Sequence, residues 1–259
     1  MNKETKFPTL FLSHGSPRIL QTDAEDTQSI RNLTSHFPAP RAIVVVSAHW
    51  IDDPVAISNM DQLSTIHDFG GFARELYQLQ YPAKGDAALS KRIAELLQQQ
   101  GIQSKLHADR GLDHGAWVPL MLMYPEVDIP VVQVSLAAGS LEQQVKIGEA
   151  LRPLREEGVL IIGSGGSVHN LSEMRDGGMT DQWAINFEEW LRQAIEGNDF
   201  DQLISVDQFP PELSRAHPSI DHYVPIIVAW AAGDRSKAGR RIHHSFSYTN
   251  LGMSHYLFG

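Results

Sequence analysis

Cysteine is absent from the 259 residues, and with it go disulfides, thiolate nucleophiles and sulfur-ligated zinc or iron–sulfur centres. Any metal must therefore rest on imidazole, carboxylate or water. Long apolar runs are missing too: hydrophobic residues make up 42% of the chain, yet none of their stretches approaches the roughly 18 residues of a membrane span. The charged opening Met1-Asn-Lys-Glu-Thr-Lys6 lacks the apolar core of a signal peptide, so the expectation is a soluble cytoplasmic protein with no membrane partner. There is no basic run, and the formal net charge is −10. Nucleic-acid binding depends on neutralising phosphates with Lys and Arg, so nucleic acid is not expected as a partner.

Histidine, by contrast, is abundant, at 12 residues. Three of them follow short apolar runs: Pro8-Thr-Leu-Phe-Leu-Ser13 precedes His14, Arg41-Ala-Ile-Val-Val-Val-Ser-Ala48 precedes His49, and Gly158-Val-Leu-Ile-Ile-Gly163 leads through a Gly-rich turn to His169. Such runs read as strands buried on both faces of a parallel sheet. In open α/β sheets the ligand crevice lies beyond the carboxyl ends of the strands, so these histidines are placed to converge on a metal.

Strand-like segments near 8–13, 41–48, 54–58, 102–107, 130–136 and 158–163 alternate with helical patterns near 86–100, 140–157 and 180–196. This alternation predicts an α/β fold with a mainly parallel or mixed central sheet and helices on both faces. With no repeat or linker to divide it, the chain reads as one domain over residues 1–259. Residues 219–233 read as an apolar helix with Pro225 inside it, able to interrupt it. Residues 241–258 read as a closing hairpin with its turn near Asn250-Leu-Gly252, on which His243 and His244 are surface or edge residues.

Each candidate histidine has a plain structural reading beside the chemical one. His14, in Ser13-His-Gly-Ser-Pro17, either caps a strand end or ligates. His49, directly after a core strand, needs a buried partner, which a metal or a carboxylate would satisfy. Gly163-Ser-Gly-Gly-Ser-Val-His-Asn170 fits neither the Walker A pattern nor the dinucleotide fingerprint. Its glycines either open space for a planar ligand at which His169 is aimed, or form a tight turn whose histidine bonds backbone. His114 and His222 each follow an aspartate near a helix start, where Asp113 and Asp221 could simply be caps. His67 lies in a long loop, 59–81, as a lid or pocket residue.

These motifs, together with Ile66-His-Asp-Phe-Gly-Gly-Phe72, Gly111-Leu-Asp-His-Gly-Ala-Trp117, Tyr124-Pro-Glu-Val-Asp-Ile-Pro130 and His217-Pro-Ser-Ile-Asp-His-Tyr223, run nearly end to end. In them the chain resembles the LigB-type class III extradiol ring-cleavage dioxygenases, in the 4,5-DOPA extradiol dioxygenase branch. The resemblance implies an iron(II) enzyme that inserts both atoms of O₂ into a small aromatic diol, opening the ring beside the hydroxyls to give a semialdehyde. By position it implies His14, His49 and His222 as metal ligands, His169 as the acid/base, and His114 as a further catalytic or substrate residue. Substrate contacts are expected from His67, Ser13 and Gly166, and a monomer or small homo-oligomer is compatible with it.

Non-haem iron oxygenases commonly use two histidines and a carboxylate, so Asp221 stands beside His222 as an alternative third ligand. An all-imidazole set would also bind zinc. An acid/base role for His169 calls for a histidine near its ordinary pKa and off the metal. Two other readings use the same residues: a zinc-dependent hydrolase, and a LigB-like protein that binds without catalysing. Arg18, Arg74 and Arg110 are candidates to pair a substrate carboxylate.

Overall fold

Along Ile43-Val-Val-Val46 every side chain is apolar, and successive residues of a strand point to opposite faces. Val44 and Val46 enter one hydrophobic core while Ile43 and Val45 enter another, so this strand can be buried only between two layers of helix. A computed structural model describes residues 6–205 and 209–259 and has that layering. Residues 1–5, on which most of the signal-peptide expectation rests, lie outside them.

In chain order the elements are β1 (Thr9–Ser13), α1 (Glu25–Asn32), β2 (Ala42–Asp52), β3 (Val55–Ser58), α2 (Ala87–Gln99), β4 (Ser104–His107), α3 (His114–Met123) and β5 (Val131–Ala137). Then come α4 (Leu141–Leu151), β6 (Val159–Gly165), α5 (Gln182–Glu196), α6 (Asp201–Ile204), α7 (Leu213–Ala216) and α8 (Val224–Ala232). The short strands β7 (Arg240–His243), β8 (Phe246–Ser247), β9 (Leu251–Gly252) and β10 (His255–Phe258) end the chain. Eight strands form one mixed sheet in the order β4-β3-β5-β2-β6-β1-β10-β7. Its centre is parallel, β5-β2-β6-β1, and antiparallel pairs flank it on both sides. Helices α2, α4, α5 and α8 share one core, and α1 and α3 pack into the other. Among the described residues no helix is long and apolar enough to cross a membrane.

All six predicted strands are present. Three differences have physical causes. Of helix α3 only the start after Asp113 was expected, because it is buried almost all round and carries Pro119, so no amphipathic stripe marks its course. Pro225 does not interrupt a helix; it stands in the first turn of α8, where its missing N–H has no intrahelical partner to lose. Residues 220–222 form a separate 3₁₀ turn before it. The closing segment does pair β7 with β10, but its turn is itself a small hairpin: Leu251 and Gly252 lie in β9, opposite β8.

Gly163 and Gly165 lie at the end of β6 and have a use beside the two read in the sequence, space for a ligand or a tight turn. A Cβ at Gly163 would lie 2.1 Å from Pro225 O, and one at Gly165 would lie 2.2 Å from His222 O. Both positions let the backbone entering α8 lie directly on β6. Gly163→Ala is therefore expected to destabilise the fold by about 1–3 kcal/mol through overpacking against backbone, read as a lower urea midpoint.

Two buried histidines make the scaffold acid-sensitive. Burial pushes His255 down to about 3 and His217 down to about 4. Ser13 N donates to His255 Nδ1 at 3.3 Å, and Nε2 lies 3.0 Å from Ser29 Oγ, so protonating Nδ1 breaks the contact to the end of β1. Unfolded histidines take up protons near pH 6.5, whereas these resist until far lower. Stability is thus complete above about pH 6.5 and falls as pH drops toward the folded values, by up to about 1.4 kcal/mol per pH unit for each group. Urea denaturation of metal-free protein at pH 7 and pH 5 is expected to show the loss, and His217→Phe to reduce the slope.

Candidate metal centre

His14 leaves the end of β1, with its N–H donating to Gly165 O at 3.0 Å. His49 does not follow a strand end as expected but sits inside β2, in a bulge. Val46 pairs with Val134 and Ile51 with Leu136, so residues 47–50 span the length that Ser135 alone spans on β5. A bulge re-aims side chains, and this one is held from below: Ser47 Oγ accepts from His49 N at 3.2 Å and donates to the buried Asp113 at 2.7 Å. Asp113 also accepts from Gln133 Nε2. It makes no capping bond to α3, so the cap reading does not hold for it. His222 ends the 3₁₀ turn before α8 and is buried.

These three rings converge. Ring centroids are 5.0 Å apart for His14 and His49, 5.3 Å for His14 and His222, and 4.9 Å for His49 and His222. One ring nitrogen from each lies within 4.8 Å of the others. Two of the tautomers follow from the partners of Nδ1. Ser164 Oγ donates its proton to Gly115 O, so it must accept from His14 Nδ1, 3.0 Å away. Asp221 Oδ2 accepts from His222 Nδ1 at 2.7 Å, and Asp68 Oδ2 faces His49 Nδ1 at 3.8 Å. His14 Nε2 and His222 Nε2 are left with bare lone pairs, while His49 Nδ1, 3.8 Å from its carboxylate, makes no hydrogen bond that fixes its tautomer. His14 Nε2 and His49 Nε2 are 3.1 Å apart, and the buried His222 Nε2 has no hydrogen-bond partner among the described residues. A proton on His49 Nε2 bridges to His14 Nε2, and a cation in its place would take one nitrogen from each ring; this donor set fits a metal ion.

Burial, then neighbouring histidines, holds His14 well below its ordinary range and His49 down to about 3. The pair is therefore neutral near pH 7, the form that ligates. Asp221, the alternative third ligand, stands behind His222 on its Nδ1 side, with Ser219 on its other oxygen.

His169, read from the strands alone as a partner of His14 and His49, lies against His222 instead. The two rings stack with centroids 3.5 Å apart and planes within 2°. Burial, then His222, pushes His169 down to about 3, below the ordinary value the acid/base reading called for. Its loop is clamped to the segment that precedes His222: His169 N donates to Ala216 O at 2.9 Å, and Asn170 Nδ2 to Arg215 O at 2.7 Å.

His114 opens α3 with its ring 4.0 Å from that of His49. Asp68 Oδ1 accepts from both its backbone N and its Nδ1, at 2.8 and 2.9 Å. Asp68, which sequence reasoning did not single out although its loop motif was noted, thus faces two of the histidines. His49, Asp68 and His114 form a second group with ligand-like spacing. The loop also supplies an aromatic flank. Phe69 stacks edge-on to His114 at 5.7 Å and lies near Tyr77 and Trp117, while His67 Nε2 bonds Leu79 O at 2.9 Å.

Ser13 is fully buried, donating to Ser254 O and accepting from Ser167 N, and Gly166 N donates to His222 O. Arg110 is committed to His49 O and the face of Trp50, Arg74 is exposed on a short 3₁₀ turn, and Arg18 donates to the neutral Tyr248 hydroxyl. His243 and His244 stand at the edge strand β7, apart from the cluster.

Residues 8–259 match the family described as the catalytic LigB subunit of aromatic ring-opening dioxygenase. A 4,5-DOPA dioxygenase extradiol of Beta vulgaris is 40% identical over 258 residues, with 96% of each chain covered. A protein of the same name from Escherichia coli K12 is 37% identical over 235 residues, covering 89% of this chain and 86% of its own. A crystal structure of an uncharacterized Escherichia coli K12 protein superposes with a TM-score of 0.81 at 30% identity, over 97% of this chain and 99% of that one. A match over this length means that the chain belongs to the LigB family of aromatic ring-opening dioxygenases.

Proposed function

We propose that this chain is an iron(II)-dependent extradiol dioxygenase that opens the ring of a catechol, foremost a DOPA-like one, to give a semialdehyde. The observation that carries the reading is the convergence of ring nitrogens from His14, His49 and His222, which would hold the ion. Iron(II) bound there would supply a redox-active centre with open coordination positions for diol and O₂, chemistry that no side chain provides.

The remaining groups handle protons and place the ring. His169 is the group read as taking a phenolic proton at a ring nitrogen and returning it; its low basicity in the metal-free chain, where burial and then His222 hold it down to about 3, works against the uptake half of that role. His114 is held by Asp68 with Nε2 bare and accepts a hydrogen bond from a substrate hydroxyl. Phe69 and His67, packed on the buried Trp117, offer flat surface suited to an aromatic ring. Ser13 and Gly166 serve the site by fixing the loops of His14 and His222. Among the three candidate arginines, Arg18 combines a neutral partner with a place in the His14 loop, so it is the one read as pairing a substrate carboxylate. The relatives named for DOPA support a catechol amino acid as substrate.

Three imidazoles also suit zinc, so zinc-loaded protein is expected to be inactive until exchanged for iron. Anaerobic reconstitution with iron(II), then O₂ electrode traces with L-DOPA, is expected to give uptake with a yellow product. Ester hydrolysis under argon by the zinc form, with no O₂ uptake by the iron form, would replace this reading with a hydrolase.

The histidines separate by metal content. His14→Ala and His49→Ala are expected to lose iron, whereas His169→Ala keeps it and loses about 10²- to 10⁴-fold in kcat. Metal analysis showing His169→Ala empty and His222→Ala fully loaded would reverse the two roles.

A further inference from the structure

Helix α5 turns an apolar face inward, made of Ala184, Phe187, Leu191, Ala194 and Ile195, and within that face sits the carboxylate of Glu188, itself 1% exposed. An apolar side chain would occupy such a position without desolvating a charge. The carboxylate holds two hydroxyls from distant parts of the chain. Ser167 Oγ donates to one oxygen and Ser254 Oγ to the other, the latter at 2.8 Å. Arg241 Nη1 and His244 Nδ1 each lie 3.9 Å from the same oxygen as Ser254.

Those serines lead directly to the site. Ser167 stands two residues before His169. Its N–H donates to Ser13 Oγ at 3.0 Å, its Oγ accepts from Ser254 N at 3.2 Å, and Ser13 Oγ donates to Ser254 O at 3.0 Å. Ser13 immediately precedes His14. The loop bearing His169 and the strand end bearing His14 are therefore joined through three serines to a single carboxylate. Gly252 is part of the same device, since a Cβ there would lie 2.3 Å from Glu188 Oε1 and 2.5 Å from Ser167 Oγ.

We propose that Glu188 is a positioning residue for ring cleavage: by holding Ser167 and Ser254 it sets where the His169 loop stands relative to His14. The inference rests on the functional reading above, in which His169 moves protons and His14 holds metal. Glu188 touches neither substrate nor ion, so its loss changes the placement of His169 and leaves the ligand set complete. Supporting groups behind an active site typically govern 10- to 100-fold in activity.

The test compares Glu188→Gln, which keeps the shape but cannot accept from both hydroxyls through two oxygens, with Ser254→Ala, which removes one donor. Both are expected to retain wild-type iron stoichiometry and KM while kcat per bound iron falls about 10- to 100-fold, and the double variant to be no worse than the poorer single. In the metal-free chain, ¹⁵N-histidine spectra are expected to show His169 ring signals shifted and those of His107 on β4 unchanged. Wild-type kcat per iron in Ser254→Ala, with His169 signals unmoved, overturns the proposal, as does a loss of iron equal to the loss of rate. Should Glu188→Gln not fold, Ser254→Ala decides alone. Should the wild-type chain turn over no diol, the functional reading fails, and the histidine spectra decide whether Glu188 positions His169.

Discussion

Three imidazoles are held with ring nitrogens toward one another, two of them by what bonds the far nitrogen. A serine hydroxyl fixes His14, a carboxylate fixes His222, and a second carboxylate faces His49 at 3.8 Å without bonding it. His49 Nε2 can therefore satisfy His14 Nε2, 3.1 Å away, with a proton, but His222, whose Nδ1 proton is given to Asp221, has none to present at Nε2. A buried acceptor left without a donor costs about 1–3 kcal/mol, and His222 Nε2 is such an acceptor. The arrangement is thus a local destabilisation that the surrounding fold sustains and that a cation reverses.

The sheet sustains it through three irregularities at one end. His14 stands just past the last residue of β1, His49 in a bulge of β2, and His222 in a turn laid on the glycines of β6. In sheet order β2, β6 and β1 are neighbours, so His14 and His49 are brought together by strands that pair in parallel with β6, and His222 joins them because its turn lies on β6. The bulge explains how β2 contributes a histidine while still continuing to Asp52. Asp113 and Gln133, both buried, fill the polar gap beneath it, which is why a carboxylate at the N-cap position of α3 makes no cap.

The strands were legible because each is a short run buried on both faces, a pattern that survives without knowledge of its partners. Helix α2 was legible for the converse reason, a single stripe of Leu89, Ile93, Leu96 and Leu97. Helix α3, apolar on every side, carried no period to read. The site divides the same way. His14 and His49 could be placed by their strands, whereas His222 follows no strand and entered through family resemblance. Asp68, Ser164 and Glu188 were not singled out because each acts on a residue at least 21 positions away, and a single sequence carries no local mark of such pairs. The glycines of residues 163–166 stood out for their number, but the use of two of the three, Gly163 and Gly165, is close backbone approach, which depends on a segment about 60 residues away.

The stacking of His169 on His222 bears on why four histidines at one place divide into ligands and a remaining base. An imidazole lone pair lies in the plane of its ring, so a ligated ion sits close to that plane. The planes of His169 and His222 are parallel within 2°, with centroids 3.5 Å apart, so their lone pairs run in separate parallel planes and do not converge. If His222, buried and with a bare Nε2, takes the ion, His169 is kept off it by the same contact that keeps it near. The Gly-rich loop and its clamps to Ala216 and Arg215 hold the two rings in that stack. On this reading the split between holding metal and moving protons is set by the angle between two rings, and a change that tilted His169 by tens of degrees would make it a competitor for the ion.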